Sequence, residues 1–253
     1  MEVDFFDPIQ LEQMDQVKLM NRTDRKFWFH FDHLQGLLQS ITDNYFVLDI
    51  EGQNEMPYTT TYYDTILNKL YTSHHNGKLN RYKIRRRSYI ASELSFLEIK
   101  FKSNKGRTIK RRIPADFGNH SFSVQECDFV KTNTPYSCED LKPSLINEFS
   151  RLTLVNKNFK ERCTIDLNLQ YKNGNKSVAL ENLVVIEIKS EGGTLVSPLA
   201  IALREQRIKT SGFSKYCIGR TITDSHIKRN AFKGKVRRIE KTIHTNLNVY
   251  SKN

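Results

Sequence analysis

Residues 78–112 read KLNRYKIRRRSYIASELSFLEIKFKSNKGRTIKRR. This stretch holds 13 Lys and Arg against Glu93 and Glu98, a net +11 in a chain whose total is +12. The other 218 residues together are about neutral, so the basicity belongs to one place in the chain. Arg81, Lys83, Arg85, Arg87 and Tyr89 recur at every second position, the period of a strand, which sets all five on one face. Tyr82, Ile84, Arg86 and Ser88 take the other face. In the next run Glu98, Lys100 and Lys102 share a face opposite Leu97, Ile99 and Phe101. After the turn SNKG, Thr108, Lys110 and Arg112 alternate with Ile109 and Ile113. Three neighbouring strands therefore carry long cations on one face and apolar residues on the other.

Such a face is either open to water or built for an anion. A solvated face usually mixes signs, because like charges directly across a sheet repel. Here the cations stack almost unmixed, which favours a polyanion site. A curved or closed sheet would turn this face inward as a channel, where a phosphate chain would relieve the repulsion through charge-assisted hydrogen bonds.

The chain has 253 residues, 38% hydrophobic and 27% charged, with few Gly and Pro, enough to bury a real core. Many evenly spread strand patterns without a Pro/Gly/Ser linker predict a single domain over 1–253, with helices at the edges of a mostly antiparallel sheet: an α+β fold. No signal peptide and no apolar run long enough to span a bilayer is present, so the expectation is a soluble, cytoplasmic protein without a transmembrane segment. Cys127, Cys138, Cys163 and Cys217 form no CxxC pair and read as reduced structural residues.

In chain order, the spacing predicts a short helix over 8–20 and a strand over RTDRKFWFH, with Arg25, Phe27 and Phe29 facing one way and Lys26, Trp28 and His30 the other. Asp32 is placed to cap a helix over 33–41. Strands follow at 45–50 and 58–64, a short helix at 66–74, and an Asn76-Gly77 turn leads into the basic strand. Residues 115–143 read as helix or loops, and 143–150 as helix. RLTLVNKNF and ERCTIDLNLQY read as two strands, with Arg162, Thr164 and Asp166 in phase. Residues 178–189 read as one long strand carrying Glu187 and Lys189 in phase. Helices are predicted at 197–208 and 213–221, and a basic amphipathic helix with seven Lys/Arg at 226–241. Apart from that helix and residues 78–112, the chain is net acidic.

Glu98, Asp166 and Glu187 are the carboxylates in phase with these cations. Each is either a salt-bridge partner or a ligand for a hard divalent ion. Mg²⁺ commonly takes one or two carboxylates and the substrate's phosphates. Cations on phosphoryl oxygens plus a bridging metal are the equipment of phosphoryl transfer.

The ordered set RKFWF, YYDT, NRYKIRRRSY, LEIKFK, ERCTIDLNL, VVIEIKS and FSKYCIGR resembles the VTC domain, over about residues 20–222. This is the polyphosphate polymerase domain of the vacuolar transporter chaperone complex, also found as stand-alone bacterial proteins, within the CYTH-like triphosphate tunnel metalloenzymes. The resemblance implies an antiparallel tunnel barrel lined with Lys and Arg. It implies transfer of the γ-phosphoryl group of ATP to inorganic phosphate or a growing polyphosphate chain, with Mn²⁺ or Mg²⁺. Carried over by motif, Lys26, Arg85, Arg87, Lys100, Lys110, Arg162 and Lys215 are the catalytic cations, and Glu187, with Glu98 and Asp166, the metal carboxylates. Arg81, Lys83, Tyr89, Lys102, Arg112, Lys157 and Lys189 complete the expected phosphate-binding set. Lys157 stands where the family often has an arginine, giving a point charge in place of a fork. Gly212 stands where some members carry a second lysine.

Two rival classes stay open. With water as acceptor the same fold is a triphosphatase or tripolyphosphatase. Without turnover it is a polyanion binder. Nucleic acid is not expected, because the in-phase face of the basic strand offers one aromatic, Tyr89, for base stacking.

Overall fold

The computed structural model describes residues 2–17, 22–119, 121–191 and 196–250. The first strands are β1 (Asp7–Ile9), β2 (Arg22–His30), β3 (Tyr45–Leu48) and β4 (Glu55–Thr65), with helices α1 (Leu34–Gln39) and α2 (Lys69–His75) around them. The basic stretch forms β5 (Arg81–Tyr89), β6 (Leu94–Lys102) and β7 (Thr108–Ala115). After α3 (Val124–Asn133) come β8 (Leu141–Asn156), β9 (Glu161–Asn173), β10 (Lys176–Leu180) and β11 (Leu183–Glu191). Helices α4 (Pro198–Glu205), α5 (Lys215–Thr223) and α6 (Lys233–Thr242) follow.

The fold is α+β, with an 11-stranded sheet whose main path is β2-β11-β9-β8-β4-β5-β6-β7; off this path β10 pairs β9, and β3 pairs β8 and β1. β1 and β3 pair in parallel, whereas β2–β11, β9–β11, β3–β8, β4–β5, β5–β6 and β6–β7 pair antiparallel. Among the described residues the hydrogen-bonded path does not close on itself. The chain forms two compact units. Unit 1 takes Met1–Met56, Phe149–Leu169 and Leu180–Phe213; unit 2 takes Pro57–Glu148, Gln170–Ala179 and Ser214–Asn253.

In unit 1 the α1 stripe Leu34, Leu37 and Leu38 is fully buried against Phe27, Ile165 and Ile186 of the sheet. In unit 2 the apolar alternates of the basic strands, Ile84, Leu97 and Ile99, join Tyr63, Leu70 and Val130 in the core. Burial of these alternates is what holds the cations on the opposite face: a one-residue slip would exchange the two sets. Arg86, on the apolar side, is buried; its Nη2 donates to both Glu126 oxygens at 2.6 and 2.7 Å, while its Nε and Nη1 have no hydrogen-bond partner among the described residues. Glu126 is itself part of the capping box that starts α3.

Several elements differ from the sequence reading. Residues 143–150 belong to strand β8, not a helix. Leu145, Asn147 and Phe149 are buried alternately, and the polar Asn147 hid this period. Its amide earns a buried place by donating to the Gln170 carbonyl at 2.8 Å. The expected long strand over 178–189 is two strands, β10 and β11, both paired with β9 and broken at Glu181-Asn182. Asp32 caps nothing with its side chain; its backbone N–H donates to His30 Nδ1 at 3.3 Å, and α1 starts two residues later. Within 8–20 the structure has a 3-10 turn over Leu11–Gln16, and residues 18–20 lie outside the described residues. The terminal helix starts at Lys233, after a 3-10 turn over Asn230–Phe232. All four cysteines are free thiols, three of them buried. No helix among the described residues is long and apolar enough to cross a membrane.

Candidate functional site

Two clusters of cations, each centred on one carboxylate, gather the expected residues. The first lies in unit 2. The register of β5, β6 and β7 sets Lys83 beside Lys100 and Lys100 beside Lys110, and Arg85 beside Glu98 and Glu98 beside Arg112. Residues opposite one another in a sheet share a face, so these rows lie side by side. Glu98 is only 1% exposed. One of its oxygens takes Arg85, from Nε at 2.7 Å and Nη2 at 2.5 Å, and the other takes Lys110 Nζ. Burial pushes the Glu98 carboxyl up, but Arg85, Arg87 and Lys110 outweigh it and hold the group well below the usual carboxylate range. Burial draws the Lys110 ammonium below its ordinary value, only partly offset by Glu98.

Arg85 and Arg87 are 9% and 8% exposed, so the β5 part of this face is shielded from water, whereas Thr108, Lys110 and Arg112 on β7 are exposed. Strand β4 supplies neighbours that the basic stretch itself does not reveal. Tyr58, Thr60 and Tyr62 pair with Tyr89, Arg87 and Arg85. Arg87 Nε donates to Thr60 Oγ1 at 3.3 Å, and its guanidinium lies 5.9 Å from the Tyr58 ring. Tyr89 packs on Tyr58 at 4.9 Å and against the edge of Phe96 at 6.0 Å. The face thus holds more aromatic surface than the single Tyr89 expected. Arg112 covers the Phe96 ring at 4.6 Å. Lys83 Nζ donates to Ser214 Oγ at 3.0 Å, and Ser214 is the N-cap of α5, whose first residue is Lys215. Arg81 turns away to donate to the Lys78 carbonyl at 2.6 Å, and its register partner Lys102 is half-buried.

The second cluster lies in unit 1 on β2, β11 and β9. Glu187 pairs with Lys26 on one side and Thr164 on the other; Lys189 pairs with Asp24 and Arg162. Lys26 Nζ holds one Glu187 oxygen, and Lys189 Nζ lies 3.2 Å from the other. Burial raises the Glu187 carboxyl, but Lys189 and Lys26 override it and hold the group well below its usual range. Lys189 is drawn below the ordinary lysine value by burial, against Glu187, with Arg162 and Arg151 adding to the lowering. Asp166 is held by the fork of Arg151, from Nε at 2.6 Å and Nη2 at 3.0 Å. Arg151, the first residue of the expected strand RLTLVNKNF, is absent from the expected site set, because its pairing with Asp166 depends on the meeting of β8 and β9. Lys157 is engaged elsewhere: on the exposed turn after β8 it meets Asp7 at 2.7 Å and lies 5.4 Å from the Phe46 ring.

Among the described residues no three His, Cys, Asp or Glu side chains gather into a metal cage. The carboxylates differ in how they fit a divalent ion carried in on substrate phosphates. Glu98 is sealed and Asp166 is clamped bidentately. The Glu187 side chain is 21% exposed, held by two flexible lysines, and lies across from Thr164, whose buried hydroxyl has no hydrogen-bond partner among the described residues. One accessible carboxylate beside an unsatisfied hydroxyl suits an ion that brings its other ligands with it.

The structure is similar to several solved structures at low identity. A Bacillus halodurans protein described as a "putative adenylate cyclase" matches at 13% identity and TM-score 0.45, covering 77% of this chain and 96% of that one. A Hippeastrum protein, described as a "putative adenylyl cyclase" with a dominant triphosphatase activity, matches at 14% identity and TM-score 0.49, covering 78% and 95%. A Vibrio parahaemolyticus "putative adenylate cyclase" matches at 11% identity and TM-score 0.44, covering 77% and 97%. No curated protein matches the sequence. The family comparison carries the assignment: residues 21–224 match the VTC domain, and the chain belongs to that family.

Proposed function

We propose that the protein is a polyphosphate polymerase that transfers the γ-phosphoryl group of ATP to inorganic phosphate or a growing polyphosphate chain. The observation that carries this reading is the gathering of several cations around each of two carboxylates. In the first cluster Arg85, Arg87 and Lys110 share Glu98. In the second, Lys26 and Lys189 share Glu187, with Arg162 beside them. Several cations drawn towards one carboxylate repel one another, and phosphoryl oxygens are the chemistry that offsets this repulsion.

The guanidinium forks of Arg85 and Arg87 suit fixed, bidentate grip of a phosphate chain. The lysines of each cluster, Lys100 and Lys110 in one unit and Lys26 and Lys189 in the other, are point charges that adapt to phosphoryl oxygens. A terminal phosphate of the acceptor attacks the γ-phosphorus in line; a new P–O–P bridge forms, the β–γ bridge breaks, and ADP leaves with the electron pair. The acceptor oxygen is already anionic near neutral pH, so no general base is required. A bound Mn²⁺ or Mg²⁺ would supply further charge neutralisation across the donor phosphates, with Glu187 and Thr164 as its protein contacts. Glu98 and Asp166 serve in this reading as anchors that aim Arg85, Lys110 and Arg151.

The test is incubation of the protein with ATP and Mn²⁺ or Mg²⁺, followed by a polyphosphate-stained gel and a parallel phosphate assay. The expected result is a ladder that exopolyphosphatase removes. Phosphate release without polymer would overturn the polymerase and make the protein a triphosphatase with the same residues. Neither product would leave a binder.

A further inference from the structure

The family match ends at residue 224, and the basic helix α6 lies beyond it. From 226 to 241 the chain carries seven Lys/Arg against one acid, Glu240. The helix is firmly seated in unit 2. Val236, Ile239 and the following Ile243 are buried. Just before it, Phe232 packs on His75 and Tyr71 at 5.7 and 6.2 Å. The Tyr71 hydroxyl donates to the Lys228 carbonyl at 2.7 Å, and the Tyr250 hydroxyl to the Arg229 carbonyl at 2.8 Å.

Seated this way, the helix presents Lys233, Arg237 and Lys241 outward, all exposed. At i, i+4 and i+8 they form one straight row about 12 Å long. Like charges at this spacing destabilise a helix. The first turn, the positive end of the helix dipole, has no acid and begins with Lys233. Glu240 does not relieve the row: its carboxylate accepts the Leu247 N–H at 3.0 Å and caps the next turn. Among the described residues, Lys233, Arg237 and Lys241 form no ion pair. The fold thus keeps a rigid, repulsive row of cations outside both carboxylate-centred clusters.

We propose that this row, with Arg229, is a second polyanion-binding surface, and that its occupant is an inorganic polyphosphate chain. The choice of occupant rests on the polymerase reading; the surface rests on α6 alone. A bilayer fits poorly, because the apolar side chains of the helix are buried and none is left to enter lipid. Nucleic acid fits poorly as well. The Tyr250 ring beside this row is covered by Arg229 at 5.3 Å and Lys233 at 5.7 Å, which removes it as a stacking platform. A flexible chain with a charge on every unit can follow a straight row of cations. Holding a long chain here raises its effective concentration for the next addition, so long acceptors should be used better than short ones.

The experiment compares the wild-type protein with the triple variant Lys233→Gln, Arg237→Gln, Lys241→Gln. A control variant, Lys142→Gln, Lys160→Gln, Lys176→Gln, loses the same charge from other exposed sites. Binding of long-chain polyphosphate and of tripolyphosphate is measured across a salt series, with ATP turnover recorded alongside. The α6 variant should bind long polyphosphate about tenfold more weakly, with a salt slope shallower by about 2 units. Its tripolyphosphate binding and its turnover with ATP should match wild type, and the control should behave as wild type. An unchanged affinity in the α6 variant, or an equal loss in the control, overturns the proposal. So does a wild type that binds duplex DNA of equal charge, or vesicles rich in anionic lipid, as tightly as polyphosphate through the same three residues. A wild type that releases only phosphate from ATP, yet binds long polyphosphate through α6, would sink the polymerase reading and leave the surface standing.

Discussion

Glu98 and Glu187 are each one carboxylate among several cations, but they are built differently. Glu98 is sealed, with an arginine fork on one oxygen and a lysine on the other. Glu187 is partly open and held only by lysines. A guanidinium is planar and directional, whereas an ammonium on a long stem moves easily. The first arrangement is preorganised and its members depend on one another for stability. The second can give up a lysine contact when phosphate or a metal arrives without exposing a buried charge. On the proposed reading, two clusters of similar composition divide between fixed grip and adaptable chemistry.

The largest expected effect tests the rigid cluster. Arg85→Ala should reduce turnover about a thousandfold and also lower stability by about 3 kcal/mol, because it strips one partner from a buried pair. Steady-state rates and urea unfolding would check both. A stable, inactive Arg85→Ala would mean that Glu98 does not depend on the fork, and the contrast would weaken. Next in size, Glu187→Gln should reduce turnover about a hundredfold while lowering the unfolding free energy by less than about 1 kcal/mol. Its rate should also respond less to metal concentration. Wild-type rates in Glu187→Gln would remove it from the site.

The smallest effect separates the clusters by pH. Both carboxyls sit below their usual range in the folded protein, so the unfolded chain takes up their protons first on acidification. The stability they contribute is full above about pH 5 and falls as the pH drops through about 4 and below. Glu98→Gln should flatten this acid limb more than Glu187→Gln, since its oxygens are the more deeply sealed. Equal flattening in urea titrations between pH 6 and 3 would show that burial does not distinguish them.

Much of the first cluster was legible without coordinates. The period-two alternation from Arg81 to Arg112 reports the face directly, and the observed register puts Arg85 and Arg112 beside Glu98 as that phase requires. What it hid came from other strands. Thr60 and Tyr62 reach Arg87 and Arg85 only because β4 pairs with β5. The buried Asn147, whose amide donates to the Gln170 carbonyl, masked the first half of β8 before Arg151. The pairing of Asp166 with Arg151, 15 positions earlier, follows from the meeting of β8 and β9 and from nothing in the local pattern.

The sequence by itself determined which residues share a face, because side chains alternate along a strand whatever the strand packs against. It also determined the sign and location of the charge. Only the tertiary structure decided which carboxylate each cation holds, which of those carboxylates is sealed from water, and which residues of α6 point outward. Those outcomes depend on strand register and helix seating, set by contacts between segments far apart in the chain, and local periodicity carries no record of them.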